Sequence, residues 1–234
     1  MTLLHTDSSD LTLVPGGPLF KDRRDAGRRL CQALLPYKAA PNTCILALPR
    51  GGVVAGDEIS RGLQIPLEVL VTRKLGAPGN PELAMGALVE TGYRYINPFI
   101  LSQATVSEER LAEEVRRQQE EIHRQVQRYR QGRPLPTLSS QRVILVDDGL
   151  ATGATFFASL AALRALGVAA LIAAVPVAPP YAKADLASRA DSVIVLETPE
   201  QFFAIGQFYE DFAQVEDEEV LSCLSRSRAT SSET

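Results

Sequence analysis

A chain of 234 residues, 45% hydrophobic and 22% charged, is long enough to bury a sizeable core and has room for one α/β domain with an elaboration. Its formal net charge of -4 argues against a general nucleic-acid or membrane-surface binder. Cys31, Cys44 and Cys223 are odd in number and lack metal-like spacing, so they read as reduced thiols in a cytoplasm-like compartment.

Residues 1–18, with Asp-Ser-Ser-Asp and Pro-Gly-Gly-Pro, predict a loose leader with no charged-then-apolar signal pattern. Residues 20–35 (FKDRRDAGRRLCQALL) read as an amphipathic helix with Ala26, Leu30, Ala33 and Leu34 turned inward. Residues 44–48 form an apolar strand that ends in Pro49-Arg50-Gly51-Gly52. A helix over 53–61 follows, closed by Gly62, and then a strand over 67–71, which makes a βαβ unit. Proline fixes the turn, and the two glycines let backbone come close to a ligand. Arg50 presents a planar fork at the strand's C-terminal edge, where open α/β sheets bind ligands.

Arg73 and Lys74 leave the third strand ahead of a Gly- and Pro-rich segment, 75–81. Residues 85–97 alternate around Glu90-Thr91-Gly92 and predict a β-hairpin. A long polar helix is expected over 105–130, capped by Thr105 and Glu108. Its thin seam of Leu111, Val115, Ile122, Val126 and Tyr129 is interrupted by Gln118. The pattern suits a helix on the domain flank or one facing a partner or another subunit. His5 and His123, the two histidines, are not placed for triad or metal chemistry.

Val143-Ile-Leu-Val146 reads as a strand buried on both faces, and the organising stretch follows it: Asp147-Asp148-Gly149-Leu150-Ala151-Thr152-Gly153-Ala154-Thr155. From Thr155 the pattern turns helical (Phe156, Leu160, Leu163) until Gly167. Strand, small-residue loop and helix N-terminus together make an anion pocket, to which Thr152 and Thr155 add hydroxyl donors. The stretch is neither G-x-x-x-x-G-K-[ST] nor G-x-G-x-x-G. Two carboxylates beside a phosphate pocket would repel a bare phosphate. The ligand should therefore also carry paired hydroxyls or a divalent metal, and a sugar phosphate offers both. A strand over 169–177, a short helix over 181–189 and a strand over 193–196 come next. The apolar run 168–178 is too short to span a bilayer. Residues 201–224 look helical, with Phe202, Phe203, Phe208, Tyr209 and Phe212 spaced mostly for core packing, and 225–234 are expected to be a disordered tail.

Residues 143–155 closely resemble the phosphoribosyl-diphosphate (PRPP) signature of type I phosphoribosyltransferases: an apolar strand, two acidic residues and a Thr-Gly-x-Thr loop. The string Phe20-x-Asp-Arg-Arg-Asp-Ala-Gly resembles the start of a stand-alone, poorly characterised branch of that family, and equally reads as a helix start with solvated charges. The resemblance implies a mostly parallel central sheet flanked by helices, with a β-hairpin and long-helix elaboration and a small hood. It sets one domain over 19–224, with 97–136 an inserted helix and linker. It implies the PRPP 5-phosphate on Ala151, Thr152, Gly153, Ala154 and Thr155, and pyrophosphate on Arg50, Gly51, Gly52, Arg73 and Lys74. Arg50, Lys74, Asp147 and Asp148 are then the catalytic set, with 75–81 a mobile loop over the site. Mg²⁺ arrives on PRPP without a direct protein ligand, Asp147 or Asp148 reaching it through water. One helix N-terminus contributes about 0.3–1 kcal/mol toward an exposed anion, too little for so charged a ligand without Mg²⁺ and the basic set.

Three functions fit this pattern. The first is transfer of ribose 5-phosphate from PRPP to a small nitrogen base, in the cytoplasm, by an enzyme whose relatives are usually homodimers. The second is a non-catalytic protein that binds PRPP or a nucleotide to regulate. The third, a Mg²⁺-dependent phosphatase or receiver with Asp147 as nucleophile, leaves the Thr-Gly-Ala-Thr loop and Pro-Arg-Gly-Gly unexplained. Ala151 departs from the pattern of 6-oxopurine enzymes, which place an aspartate there.

Overall fold

The computed structural model describes residues 17–78, 80–103 and 106–231. The chain opens with helix α1 (Arg23–Ala33), whose cap Asp22 accepts the Asp25 N–H at 2.7 Å. Strand β1 (Thr43–Ala47), helix α2 (Gly51–Leu63) and strand β2 (Leu67–Val69) follow. A second sheet is inserted next: β3 (Thr72–Ala77), β4 (Asn80–Val89) and β5 (Arg94–Ile96). Helices α3 (Pro98–Gln103) and α4 (Glu108–Arg130) lead back to β6 (Arg142–Val146). The remainder is α5 (Ala154–Ala165), β7 (Ala170–Val177), α6 (Ala182–Ala187), β8 (Ser192–Glu197) and α7 (Asp217–Ser231).

β1, β6 and β7 are apolar and almost wholly buried because the main sheet is covered on both faces. Its order is β2-β1-β6-β7-β8 with every pairing parallel. Ile45, Ala47, Ile144 and Val146 face a core shared with α1, α2 and α7, while Cys44, Leu46, Val143 and Leu145 face one shared with α5 and α6. Helix α5 also packs against β3 and β4, which accounts for its apolar composition on nearly every side. A third, smaller core of Phe20, Ala26, Val177, Phe208 and Tyr209 forms the hood. The hood is tied together through backbone: Leu19 and Phe20 N–H donate to Phe208 O at 2.9 Å, and Glu210 N–H donates to Phe20 O at 2.9 Å.

Four sequence expectations are corrected. Arg73 and Lys74 do not end a parallel strand. They lie within β3, which pairs antiparallel with β4 in the separate three-stranded sheet. The segment expected as a mobile loop is strand as far as Ala77, with register shifts at Leu75–Gly76 and Gly76–Ala77, and β4 starts at Asn80. Residues 201–216 are not helical: they carry only a 3-10 turn at Ile205–Phe208, because their aromatics pack into the hood rather than along one helix face. Phe203 is 80% exposed. The tail expected to be disordered continues α7 to Ser231, held by buried Cys223, Leu224 and Ser227. Ser227 Oγ accepts the Leu67 N–H at 2.9 Å, which local sequence does not reveal. Thr105 and the leader residues 1–16 lie outside the described residues, and Ser107 caps α4.

Helix α4 packs on β3, β4 and α7. Gln118, the interruption in its apolar seam, is buried and accepts the Arg73 Nε–H at 3.1 Å. At the end of α4, Arg130 is fully buried and forms an ion pair with Glu90, itself only 6% exposed. Arg130 Nη1 also donates to Val69 O at 2.9 Å, and Glu90 Oε1 accepts the Val71 N–H at 2.7 Å. This pair holds the point where the chain leaves β2 for the second sheet. All three cysteines are free and buried, and burial raises the Cys44 thiol to about 12. Among the described residues no helix is long and apolar enough to cross a membrane.

Removing one partner of a buried ion pair leaves a buried charge uncompensated, at a cost of about 3–5 kcal/mol. Glu90→Gln is therefore expected to lower unfolding stability by that amount in urea titration. A loss under about 1 kcal/mol, the range of exposed pairs, would contradict the burial of this pair.

Candidate active site

The main sheet reverses its winding between β1 and β6: the chain leaves β1 toward β2, and leaves β6 toward β7. Loops after these two strands diverge and open a crevice at their carboxyl ends, which is where ligands bind in such sheets. Pro49–Gly52 follows β1, and Asp147–Thr155 follows β6. Leu48 N–H donates to Val146 O at 3.0 Å, so the two loops start side by side. The Pro49–Arg50 peptide is cis.

Helix α2 begins directly at Gly51, and its first turn meets the acidic pair. A Cβ on Gly51 would collide with Asp148 Oδ2, and one on Gly52 would lie 2.9 Å from Asp147 Cα. The glycines thus give the acidic residues room, a constraint the sequence assigned to ligand approach. Asp148 Oδ2 is bound by Arg23 Nε at 2.6 Å, with only 11% and 13% of the two side chains exposed. The Asp148 carbonyl accepts the Tyr209 hydroxyl at 2.6 Å, and its N–H donates to Asp147 Oδ1 at 2.9 Å. Burial, then the adjacent Asp148 charge, pushes the Asp147 carboxyl well above the usual carboxylate range. Burial raises Asp148 as well, while the Arg23 charge opposes the shift.

Gly153, at φ 74, caps α5 in the left-handed region that glycine tolerates, and a Cβ there would strike the Phe157 ring. The chain then turns into α5, whose first-turn N–H groups lack partners within the helix. Thr152 is exposed and Thr155 half-buried. Thr155 lines a cavity of about 420 Å³ together with Pro49, Thr72, Arg73, Lys74 and Gly76, with Glu114, Arg117 and Gln118 of α4 opposite. The second sheet therefore brings Arg73 and Lys74 to the loop even though they belong to another sheet. Three larger cavities, about 690, 710 and 490 Å³, likewise include neither Asp147 nor Asp148; the second borders the loop at Thr152 and Ala154.

Arg50 is drawn elsewhere. Its Nη1 donates to Val215 O at 2.7 Å, and its Nε lies 3.6 Å from Asp217. Asp217 also accepts the Tyr129 hydroxyl at 2.5 Å and pairs with Arg128 at 2.9 Å. Arg23, Tyr209 and Asp217 were not among the expected site residues. The paired Arg23-Arg24 inside the Phe20–Gly27 string was a usable signal for the first, whereas Tyr209 and Asp217 reach the site only through folding. Among the described residues no group of three or more His, Cys, Asp or Glu side chains could hold a metal ion.

Residues 22–212 match the sequence profile of the phosphoribosyl transferase domain, and the chain belongs to that family, with the type I α/β fold. A Mycobacterium tuberculosis (strain CDC 1551 / Oshkosh) protein named "putative phosphoribosyl transferase" is 42% identical over 208 residues, 89% of this chain. A protein of that name from strain ATCC 25618 / H37Rv matches equally. The chain spans about half, 47%, of the length of these curated relatives. The crystal structure of TT1426 from Thermus thermophilus is 42% identical, with TM-score 0.74, over 88% of this chain and 98% of that one.

The raised Asp147 carboxyl makes a stability prediction. Between the unfolded value, about 3.9, and the higher folded value, the folded protein keeps a proton that the unfolded chain has released. Stability therefore falls as pH rises through that window and stays lower above it. Asp147→Asn keeps an oxygen for the Asp148 N–H and removes the ionisable group. It is expected to melt above wild type at about pH 8 and to show a flatter pH dependence by calorimetry. An equal or lower Tm at that pH would refute it.

Proposed function

We propose that this protein transfers ribose 5-phosphate from PRPP to a nitrogen acceptor with release of pyrophosphate. The observation that carries the reading is the meeting of the Asp147-Asp148 pair with the first turn of α2 at the sheet's reversal point, beside the Thr-Gly-Ala-Thr loop. In this reading N–H groups at the start of α5, with the Thr152 and Thr155 hydroxyls, hold the 5-phosphate. Asp147 and Asp148 accept hydrogen bonds from the ribose hydroxyls. Arg73 and Lys74, from the shared cavity, and Arg50 face the pyrophosphate. The nitrogen attacks C1 as the bond from C1 to the pyrophosphate oxygen breaks, so the protein contributes mainly positioning and charge stabilisation.

The donor set suits a Mg²⁺ that rides on PRPP: two carboxylates stand at the strand end, with no third protein ligand beside them among the described residues. Asp147 and Asp148 would hold such an ion through its waters, and when bound it supplies positive charge to the pyrophosphate. Ala151 offers no titratable group to the acceptor, where a general acid or base is worth about 10²–10⁴-fold. A second reading, a PRPP- or nucleotide-binding regulator without turnover, is favoured by one observation: Arg50 is bound to the Val215 carbonyl and faces Asp217.

A base-by-base screen for Mg²⁺- and PRPP-dependent pyrophosphate release separates the two readings. Turnover with one base supports transfer, whereas PRPP binding without release supports the regulator. The double variant Asp147→Asn/Asp148→Asn is expected to bind PRPP more than tenfold weaker, about 1.4 kcal/mol, by calorimetry. Unchanged affinity would remove the acidic pair from the sugar site. Hypoxanthine and guanine are expected to give little or no turnover. A kcat/KM at or above about 10⁵ M⁻¹s⁻¹ for either, inside the usual enzyme range, would reverse that expectation.

A further inference from the structure

Arg23 makes three contacts that join α1, the acidic pair and the hood. Its Nε binds Asp148 Oδ2 at 2.6 Å. Its Nη1 donates to Ala213 O at 2.8 Å. Its guanidinium carbon lies 3.7 Å from the centre of the Phe212 ring, which in turn packs 4.9 Å from Tyr209. Gly51 makes this arrangement feasible, since a Cβ there would also come within 2.6 Å of Arg23 Nε. The fork is therefore fixed from three sides: by a carboxylate, a carbonyl and an aromatic face.

The acidic pair has one oxygen of each residue tied inside the protein: Asp148 Oδ2 by Arg23, and Asp147 Oδ1 by the Asp148 N–H. A carboxylate anchored through one oxygen presents the other along a set direction. Without Arg23, rotation about the Asp148 side chain would spread that direction, and a burial-suited partner would be lost. The phosphate loop shares none of these contacts, as its elements are Gly153 and the start of α5.

We propose that Arg23 is the positioning residue that lets the acidic pair distinguish ribose from deoxyribose phosphates, by holding Asp148 against the hood. The inference rests on the sugar site described under the proposed function. It adds a residue from outside both loops, and it links sugar recognition to the hood segment 212–213. Arg23 does not itself touch the sugar in this account; it acts through Asp148.

The test is calorimetric binding of three probes, ribose 5-phosphate, 2-deoxyribose 5-phosphate and inorganic phosphate, to the full chain. Wild type is expected to prefer ribose 5-phosphate over its deoxy analogue by about tenfold or more, the range of a hydrogen bond to a charged group. Arg23→Gln should bring that ratio close to one while inorganic phosphate affinity stays within about twofold of wild type. Arg23→Lys keeps the charge but cannot form the fork, and should give an intermediate ratio; being conservative, it also covers misfolding of the Gln variant. A wild-type ratio in either variant, or an equal loss of all three probes, would overturn the proposal while leaving the sugar site standing. A wild type that does not discriminate would instead overturn the assignment of the ribose hydroxyls to the acidic pair, and this proposal with it.

Discussion

The constraint on which the site depends is the close approach of the first turn of α2 to the end of β6. Gly51 and Gly52 lie so near Asp148 and Asp147 that no side chain fits at either position. That contact brings the loops of β1 and β6 together at the one place where the parallel sheet reverses its winding. Everything else at the site is arranged around it. The acidic pair is half-buried because α2 covers it, and the Asp147 carboxyl is raised because it is covered next to another carboxylate. The site is thus held in a state that costs stability, which the surrounding cores must offset.

Cations on three different elements manage the acidic charge. Arg23 from α1 answers Asp148, while Arg50 and Arg128 answer Asp217 at the start of α7. The second of these groups includes Arg50, the guanidinium of the loop after β1. Under the proposed function, a bound polyanion would compete with Asp217 and the Val215 carbonyl for that guanidinium. The run Glu216–Glu219 gathers acidic side chains beside these cations, with Arg50 near Glu216, Arg24 on Glu219 and Arg128 on Glu218.

The second sheet has a structural logic of its own. Arg130 and Glu90, both buried, pin the exit from β2 and the turn after β4, so β3 runs out from the main sheet in a fixed direction. Arg73 is held by Gln118 of α4, and Lys74 lines the same cavity as Thr155. A buried charge pair therefore decides where two basic side chains stand relative to the loop. The polar residue that interrupts the α4 seam, Gln118, is thus accounted for by its bond to Arg73.

Local chemistry in the sequence determined a great deal. Unbroken apolar runs named the central strands, because a sheet covered on both faces needs no alternation. The Asp147–Thr155 stretch and Pro49–Gly52 marked the two loops that meet at the reversal point, because small residues directly after a strand let backbones approach closely. Tertiary structure alone decided the rest. Arg73 and Lys74 read as a strand end, since nothing local reveals that the chain crosses into another sheet at Val71. The aromatics of 202–212 read as a helix, since their spacing is the same whether they pack on a helix face or gather in a hood. The partnership of Arg23 with Asp148 joins residues 125 positions apart, and the coupling of Asp217 to Arg50 likewise depends on how α7 docks. Side-chain type and spacing carry backbone preference and local chemistry, but which charges meet is settled only when separate elements are packed together.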